Sequence, residues 1–271
     1  MFKDIIIGQY IPGDSFIHRM DPRVKIMLAL VFIVLLFSVS GFFPYALITL
    51  FVVYIVFGCG VPVKMFLKGL KPMAFILAFT VILNLFMTDG EAIVTIKLFG
   101  DFALSITKEG IYAAIALFVR LLYLITGTSV LTLTTTPLSL TDGIESLLKP
   151  FEKIKVPAHE IAMMMSIAMR FIPTLAEETD KIMKAQMARG ADFQSGNIIR
   201  RAKALIPLLV PLFVSAFRRA DELATAMEAR CYHGGEGRTK MKQMRMKKVD
   251  FMGIAVFVLL FAAAVTLNII L

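Results

Sequence analysis

Long apolar runs separated by short breaks dominate this sequence and restrict the folds that it can adopt. Hydrophobic residues make up 58% of the 271 residues, against about 45–50% in an ordinary soluble domain. The runs cover residues 24–40, 42–57, 70–87, 111–134 and 251–271. The first two form a tight pair with a break at Gly41 and Pro44. Because a membrane helix needs about 17–25 apolar residues, we predict an all-α polytopic membrane protein with about five transmembrane helices.

The distribution of basic residues predicts how these helices are oriented. Six basic residues precede the first span or lie between the second and third, namely Arg19, Arg23, Lys25, Lys64, Lys68 and Lys71. The loop over residues 88–110 carries two lysines against four acids. Since cytoplasmic loops are enriched in Lys and Arg, we expect the N-terminus inside and the C-terminus outside. The first 25 residues are mixed and polar, so we expect no cleavable signal peptide.

The loop between the third and fourth spans has a composition of its own. Its β-branched residues and the pair Gly100-Asp101 predict a small hairpin or a re-entrant excursion outside the bilayer.

These patterns divide the chain into three regions. Residues 1–134 hold four spans, residues 135–249 form a cytoplasmic region, and residues 250–271 form the last membrane helix. Between residues 139 and 248 there are nineteen Lys or Arg and twelve Asp or Glu, so most of the net charge of +9 lies there. The basic run RTKMKQMRMKK before the last span favours a topology determinant near anionic lipid; a specific lipid or nucleic-acid site is the alternative.

Three helices are predicted in the cytoplasmic region, over residues 140–154, 157–189 and 197–230. Each of the two long helices has an apolar first half and a charged second half. The apolar run at 204–217 has about 14 residues, which is too short to cross a bilayer. The earlier half contains Arg170, which is costly at membrane depth. We therefore predict that both halves touch the membrane layer or pack under it, with a further pair of tilted spans as the alternative.

Both long helices end in Ala-Arg followed by a small residue. The two endings are Ala188-Arg189-Gly190 and Ala229-Arg230-Cys231. One interpretation is a helix stop, because a cation in the last turn interacts favourably with the helix dipole and Gly190 can adopt the left-handed cap conformation. The other interpretation is docking, in which each arginine enters a cleft on another protein and pairs with carboxylates.

Two other features leave alternatives open. Met163, Met164, Met165 and Met169 crowd one stretch; methionines fill irregular gaps in a core, but they also suit a surface that accepts several partners. Arg120 lies within the fourth predicted span, where an intramembrane charge is either functional or part of a buried structural pair.

The residues give no support for catalysis or for metal binding by this chain. Its three histidines adjoin no cluster of acids or cysteines, and Cys59 and Cys231 share no metal-ligand spacing. GGEGRTK lacks the spacing of a phosphate-binding loop, so we do not expect the chain to hydrolyse ATP. A membrane enzyme would need acids, histidines or serines that converge at membrane depth, and the sequence indicates none.

Three stretches carry a resemblance to a known family, namely YIPGDSFIHRMDPRVK near the N-terminus, MRFIPTLAEETDKIMKAQMARGADF, and AMEARCYHGGEGRTK. With them the chain resembles, over nearly its whole length, the transmembrane T components (EcfT, related to CbiQ) of energy-coupling factor transporters. The two Ala-Arg-Gly motifs of the family match Ala188-Arg189-Gly190 and Ala229-Arg230-Cys231. The second match departs at Cys231, where we expect a left-handed cap to be less favourable than at Gly190.

The resemblance implies a role in a prokaryotic plasma-membrane importer. It implies two ABC ATPase subunits (EcfA and EcfA′), which bind ATP and Mg²⁺, with Arg189 and Arg230 each docking into one of them. It further implies one or more S components that bind a vitamin or another micronutrient. The expected S-component surface is the apolar, methionine-rich half of the second long helix together with the stretch ALIPLLVPLF (residues 204–213). Its named members are Met164, Met165, Met169, Leu205, Leu208 and Leu209. No cofactor and no nucleic acid is expected on this chain.

Two other functions remain compatible with the sequence. A permease of another ABC transporter type would have its own substrate pathway, and a polar, substrate-sized cavity between spans would indicate it. A membrane scaffold would only anchor cytosolic partners, and transport that persists without both arginines would indicate that role.

Overall fold

The backbone is helical over most of its length, as the apolar runs predict. The computed structural model describes residues 10–88, 90–99, 102–193, 197–235 and 244–270. Within these ranges the elements are α1 (Phe16–Arg19), α2 (Pro22–Ser38), α3 (Phe42–Gly58), α4 (Val63–Leu70), α5 (Ala74–Met87), β1 (Ala92–Phe99), β2 (Phe102–Thr107), α6 (Lys108–Thr134), α7 (Pro137–Leu148), α8 (Ala158–Ala188), α9 (Ile198–Ala229) and α10 (Lys248–Ile270).

The chain divides into two units. The first, the membrane unit, comprises Gln9–Thr136 and Met244–Leu271. The second, the α7–α9 unit, comprises Met1–Gly8 and Pro137–Gln243. The membrane assignment of the three predicted regions stays a prediction.

Three helical segments among the described residues are long and apolar enough to cross a bilayer. They cover Val63–Met87, Lys108–Thr134 and Lys248–Ile270. The helices α2 and α3 have 17 residues each, so each is about 25 Å long, at the short end of what can span a bilayer. The prediction of a helical polytopic membrane protein is confirmed.

Two boundaries differ from those predicted. Pro44 lies in the first turn of α3, where a proline is tolerated because the first amide groups of a helix have no intrahelical acceptor. The break itself lies at Gly41, which has a positive φ of 95°. The third span begins at Val63 rather than at residue 70, because a short 3-10 turn at Lys71–Met73 joins α4 to α5.

A β-hairpin connects α5 to α6. β1 pairs with β2 in antiparallel register, with Ala92 opposite Thr107 and Thr95 opposite Ser105. Of the two predicted alternatives for this loop, the hairpin is the one found. The predicted turn at Gly100-Asp101 lies outside the described residues.

The core of the membrane unit lies where α2, α3, α6 and α10 pack together. Its buried members are Phe32, Leu35, Leu36, Val39, Ile48, Val52, Tyr123, Phe257, Leu260 and Ala264. Small residues let the helices approach closely, as is usual between membrane helices. A Cβ atom added at Gly127 of α6 would lie 2.9 Å from a ring carbon of Phe32.

Replacement of Gly127 is therefore expected to destabilise the membrane unit. Gly127→Ala pushes the buried ring of Phe32 out of place and lowers the free energy of unfolding by about 1–3 kcal/mol. Thermal unfolding of the purified protein in detergent measures this loss. Gly58→Ala is the matched control, because no atom lies within 4 Å of the added Cβ. Equal melting temperatures for the two variants would contradict the assignment of Gly127 to a close helix contact.

Arg120 of α6 has partners within the membrane unit. Its Nε donates a hydrogen bond to the Tyr45 hydroxyl at 2.9 Å, and its Nη2 donates to the Val39 carbonyl at 3.5 Å. The guanidinium also lies 5.4 Å from the centre of the Phe37 ring, within the range of a cation–π interaction. These contacts tie α6 to the turn between α2 and α3 and support a structural role for Arg120.

The α7–α9 unit contains the three helices predicted after the fourth span. The first is divided into α7 and a 3-10 turn at Lys149–Ile154. α8 and α9 have 31 and 32 residues, and Pro173, Pro207 and Pro211 lie inside them. Each proline leaves one helix hydrogen bond unmade, yet both helices continue through. Within the described ranges, neither α8 nor α9 qualifies by length and composition as a membrane span.

Candidate functional site

The C-terminus of α8 is closed by two backbone hydrogen bonds around Gly190. The Gly190 amide donates to the Met187 carbonyl at 2.9 Å, and the Ala191 amide donates to the Gln186 carbonyl at 3.0 Å. Gly190 has a φ of 88°. This pair of bonds around a left-handed residue is the Schellman motif, which satisfies carbonyls that the helix leaves without partners. Arg189 is the cap residue of α8.

The C-terminus of α9 has the same geometry. The Cys231 amide donates to the Glu228 carbonyl at 2.8 Å, and the Tyr232 amide donates to the Met227 carbonyl at 3.0 Å. Cys231 itself adopts a left-handed conformation, with a φ of 57°. A left-handed cap therefore forms at Cys231 as well, although its Cβ atom makes this conformation less favourable than it is for glycine. The two backbone hydrogen bonds that close the helix offset this cost, because their carbonyls would otherwise have no partner.

The two arginines consequently occupy equivalent positions. Arg189 and Arg230 each directly precede the left-handed residue and are exposed, as are Ala188 and Ala229. Their backbone amides bond within the helix ends, but neither guanidinium makes a hydrogen bond or an ion pair in the described part of the chain. Each guanidinium therefore keeps its donors available for a carboxylate, which it can bind in a bidentate manner. The tips are defined here as residues 188–190 and 229–231.

Two contacts determine on which side of the helix pair each tip lies. Glu178 of α8 pairs with Arg219 of α9, and Gly235, sixteen residues after Arg219, lies against the ring of His159 near the beginning of α8. Beyond the ion pair the chain of α9 therefore leads back toward the beginning of α8, while α8 continues to Arg189. The two tips consequently lie on opposite sides of this ion pair.

An ion pair links α8 to α9 between the tips. Arg219 Nη2 donates to Glu178 Oε2 at 3.0 Å, and both side chains are half-buried. Arg189 lies eleven residues after Glu178, and Arg230 lies eleven residues after Arg219. Each tip is therefore about 16 Å along its own helix from this pair. The two tips are therefore equally far from the ion pair along their helices, so each acts on this contact over the same length of helix.

The apolar halves of α8 and α9 expose much of their surface. Met164 is 59% exposed, and Leu205 and Leu209 are 45% and 47% exposed. Met165 and Met169 are half-buried. Leu208 is buried, with an exposed fraction of 5%, so among the predicted surface residues it is the one turned away from solvent.

Two exposed apolar side chains of α9, Val214 and Phe217, lie beyond the stretch 204–213 that sequence reasoning assigned to this surface. The helical period contains the signal that would have found Phe217, because residues 206, 210, 213 and 217 recur at intervals of three and four and so share one face.

The cap geometry predicts opposite effects of two substitutions. Cys231→Gly removes the strain of a left-handed non-glycine residue and stabilises the end of α9 by up to about 1 kcal/mol. Gly190→Ala introduces that strain and destabilises the end of α8 by about the same amount. Amide hydrogen exchange in the last turn of each helix measures both effects. Faster exchange at the end of α9 in Cys231→Gly would contradict this assignment.

Comparison with known proteins places the chain among transport proteins. Residues 13–241, which include both tips, match the family model of CbiQ, described as a cobalt transport protein. Three curated relatives are each named energy-coupling factor transporter transmembrane protein EcfT. The protein of Thermosediminibacter oceani is 58% identical over 248 residues, 92% of each chain. That of Bacillus subtilis is 51% identical over 245 residues, 90% of this chain and 91% of its own. That of Acidaminococcus fermentans is 50% identical over 264 residues, 96% of this chain and 97% of its own.

Proposed function

Because the chain belongs to the CbiQ family, with transmembrane components of energy-coupling factor transporters as its relatives, we propose that it couples two ATPase subunits to a substrate-binding S component. It is a transmembrane component of a transporter and not an enzyme. In this proposal ATP and Mg²⁺ bind to the ATPase subunits, EcfA and EcfA′, and the S component binds a vitamin or another micronutrient. The complex lies in the plasma membrane, with the N-terminus of this chain inside.

One observation carries the proposal. The two tips have the same backbone geometry, present an exposed arginine each, and lie on opposite sides of the ion pair that joins the helices. Two equivalent, separated docking groups suit two similar partners better than one. We infer that Arg189 and Arg230 each enter a groove on one ATPase subunit and pair with carboxylates there.

The ion pair between the helices supports a mechanical role. When ATP binding draws the two ATPase subunits together, the tips move with them. Since Glu178 and Arg219 hold α8 against α9, motion at the tips changes the angle between the helices. In each helix the apolar half lies on the other side of this contact from that helix's own tip, so that motion of a tip reaches the apolar half of the same helix. Rigid helices with two discrete packings can couple distant sites in this way.

The S component is proposed to contact the exposed apolar halves of α8 and α9. Met164, Leu205 and Leu209 offer exposed apolar area, and Met165 and Met169 add adaptable side chains at its border. Leu208 supports this surface from beneath. A methionine-rich surface can repack against different partners, which suits a subunit shared among several S components.

A cavity in the membrane unit gives no support to a permease with its own substrate pathway. It has a volume of about 270 Å³ and is lined almost entirely by apolar side chains. Its polar members include Lys25, Thr126 and Thr134, and each already donates a hydrogen bond to a backbone carbonyl of the chain. A path for a polar nutrient would need polar groups directed into the cavity.

Affinity purification of the tagged chain from its native membrane tests the proposed function. We expect two ABC ATPase subunits and at least one small membrane protein to co-purify with the wild type. Met164→Glu combined with Leu209→Glu is expected to release only the small membrane protein, because both substitutions place a charge on the proposed apolar surface. Absence of ATPase subunits from the wild-type preparation under gentle conditions would refute the proposal.

A further inference from the structure

After Gln9 the chain passes between its two units twice, and both of these passages begin or end at the same place in the membrane unit. It leaves the membrane unit after Thr136 and returns at Met244. The residues just before the exit and just after the return are held by the first turn of α2. The contacts described below all lie within the membrane unit.

Lys25 holds the exit. Its Nζ donates to the Thr134 carbonyl at 2.9 Å and to the Thr135 hydroxyl at 3.2 Å. Lys25 is only 7% exposed, and Thr134 and Thr135 are 2% and 6% exposed. A buried ammonium group is costly unless it is hydrogen-bonded. This lysine side chain is therefore committed to the last residues before the exit.

Arg23 and Asp250 hold the return. Arg23 Nη2 donates to the Met244 carbonyl at 3.0 Å. Asp250 is fully buried, and its carboxylate accepts from the Lys247 amide at 2.6 Å and from the Asp21 amide at 2.7 Å. The first of these bonds closes the N-terminus of α10 as in a capping box. The second joins α10 to the beginning of α2.

Asp21 completes the cluster. Its carboxylate caps α2 by accepting from the Arg23 amide at 2.9 Å, and it accepts from Arg23 Nε and Nη2 at 3.1 and 3.0 Å. Burial alone would raise the pKa of Asp21, but the hydrogen bonds and the charge of Arg23 outweigh it and hold the pKa below its usual value. The bidentate pair fixes the guanidinium that reaches Met244.

Helix capping by itself does not account for both basic residues. Asp21 caps α2 and Asp250 caps α10, and neither cap requires a lysine at position 25. The side chains of Arg23 and Lys25 reach instead the two segments through which the chain leaves and re-enters the unit. The sequence pattern assigned these two residues only to membrane topology.

We propose that Asp21, Arg23, Lys25 and Asp250 form an anchor that passes the motion of α8 and α9 to the membrane unit. Because the anchor holds both connecting segments against one helix end, displacement of the α7–α9 unit moves the ends of α2, α6 and α10 together. Loose connections would absorb the same displacement. This inference rests on the proposed coupling function, which supplies the displacement.

The test substitutes Lys25→Met in the complete transporter, reconstituted in liposomes. The change keeps an unbranched chain that is one atom shorter and removes the ammonium donors. We expect ATPase subunits to remain bound and ATP hydrolysis to stay near the wild-type rate, while uptake per ATP hydrolysed falls about fivefold or more. The uptake probe is a panel of radiolabelled water-soluble vitamins, screened first with the wild-type complex. Lys64→Met is the matched control, since Lys64 is exposed on α4, and should leave the ratio unchanged.

A second readout does not depend on uptake. Amide hydrogen exchange at residues 134–136 should accelerate in Lys25→Met, because Lys25 holds the exit. At residues 244–248 it should accelerate in Arg23→Lys, which retains the charge but loses the fork to Asp21 and Met244. Unchanged exchange in both variants, or an unchanged ratio of uptake to hydrolysis in both, would overturn the anchor. If the Lys25→Met variant does not assemble into the transporter, the Arg23→Lys variant tests the anchor by the same two measurements, amide exchange and the ratio of uptake to ATP hydrolysis. Failure of the proposed coupling function is distinguishable from failure of the anchor, because no ATPase subunits would then co-purify with the wild-type chain.

Discussion

Reversal of charge at both tips, Arg189→Glu with Arg230→Glu, is expected to release both ATPase subunits from the chain. Each arginine is exposed at the end of a rigid helix, so its guanidinium can be desolvated against carboxylates on a partner. Removal of one member of such a pair costs about 2–5 kcal/mol of binding free energy, and charge reversal adds repulsion. Each single substitution should weaken binding of one ATPase subunit by roughly thirtyfold or more. The double substitution should abolish co-purification.

The control for this experiment carries the same change of charge elsewhere on the same helix. Arg218 is exposed on α9, about three turns before the tip. Arg218→Glu should leave the ATPase subunits bound. The small membrane protein should stay with the double tip variant, because the apolar halves of α8 and α9 are untouched. If both ATPase subunits stay bound to the double variant, Arg189 and Arg230 are helix stops and do not dock.

Removal of the Asp250 carboxylate is expected to have the largest effect on stability. Asp250→Ala leaves the buried amides of Asp21 and Lys247 without acceptors and removes a negative charge beside Arg23 and Lys25. The loss of free energy of unfolding should reach about 3 kcal/mol or more. Asp250→Asn keeps one carbonyl oxygen as an acceptor, so we expect a smaller loss of about 1–2 kcal/mol.

Thermal unfolding in detergent ranks these variants. Asp221→Ala is the matched control, because Asp221 is exposed on α9 and a substitution at such a site is usually within about 0.5 kcal/mol of the wild type. The expected order of melting temperatures is wild type and Asp221→Ala, then Asp250→Asn, then Asp250→Ala. A melting temperature for Asp250→Ala equal to that of the control would show that its two hydrogen bonds do not hold α10 to α2.

Local sequence patterns were sufficient for most of the helices. The apolar runs predicted α2, α3, α6 and α10 to within about three residues at either end, because burial in lipid requires a continuous apolar stretch. The composition of the loop after α5 indicated the β-hairpin. Ala-Arg followed by a small residue marked the ends of α8 and α9, because the last turn of a helix has its own chemistry.

Positions that depend on neighbours distant in the sequence were not predictable in this way. Leu208 and Leu209 are adjacent leucines, yet one is buried and the other is exposed, since only the packing of the helix decides which face is covered. Cys231 adopts a left-handed conformation although its residue type disfavours it. The backbone bonds that close α9 outweigh that preference.

The sequence alone determined that this chain is a helical membrane protein with two arginine-tipped helices, because hydrophobic length and helix-end chemistry are local properties. The tertiary structure decided that Glu178 meets Arg219, that the two tips lie on opposite sides of this pair, and that the basic residues at the beginning of α2 hold both passages of the chain. The residues concerned are separated by 41 positions in the ion pair and by 229 between Asp21 and Asp250. Contacts of this range depend on how whole helices pack, and no window of sequence contains that information.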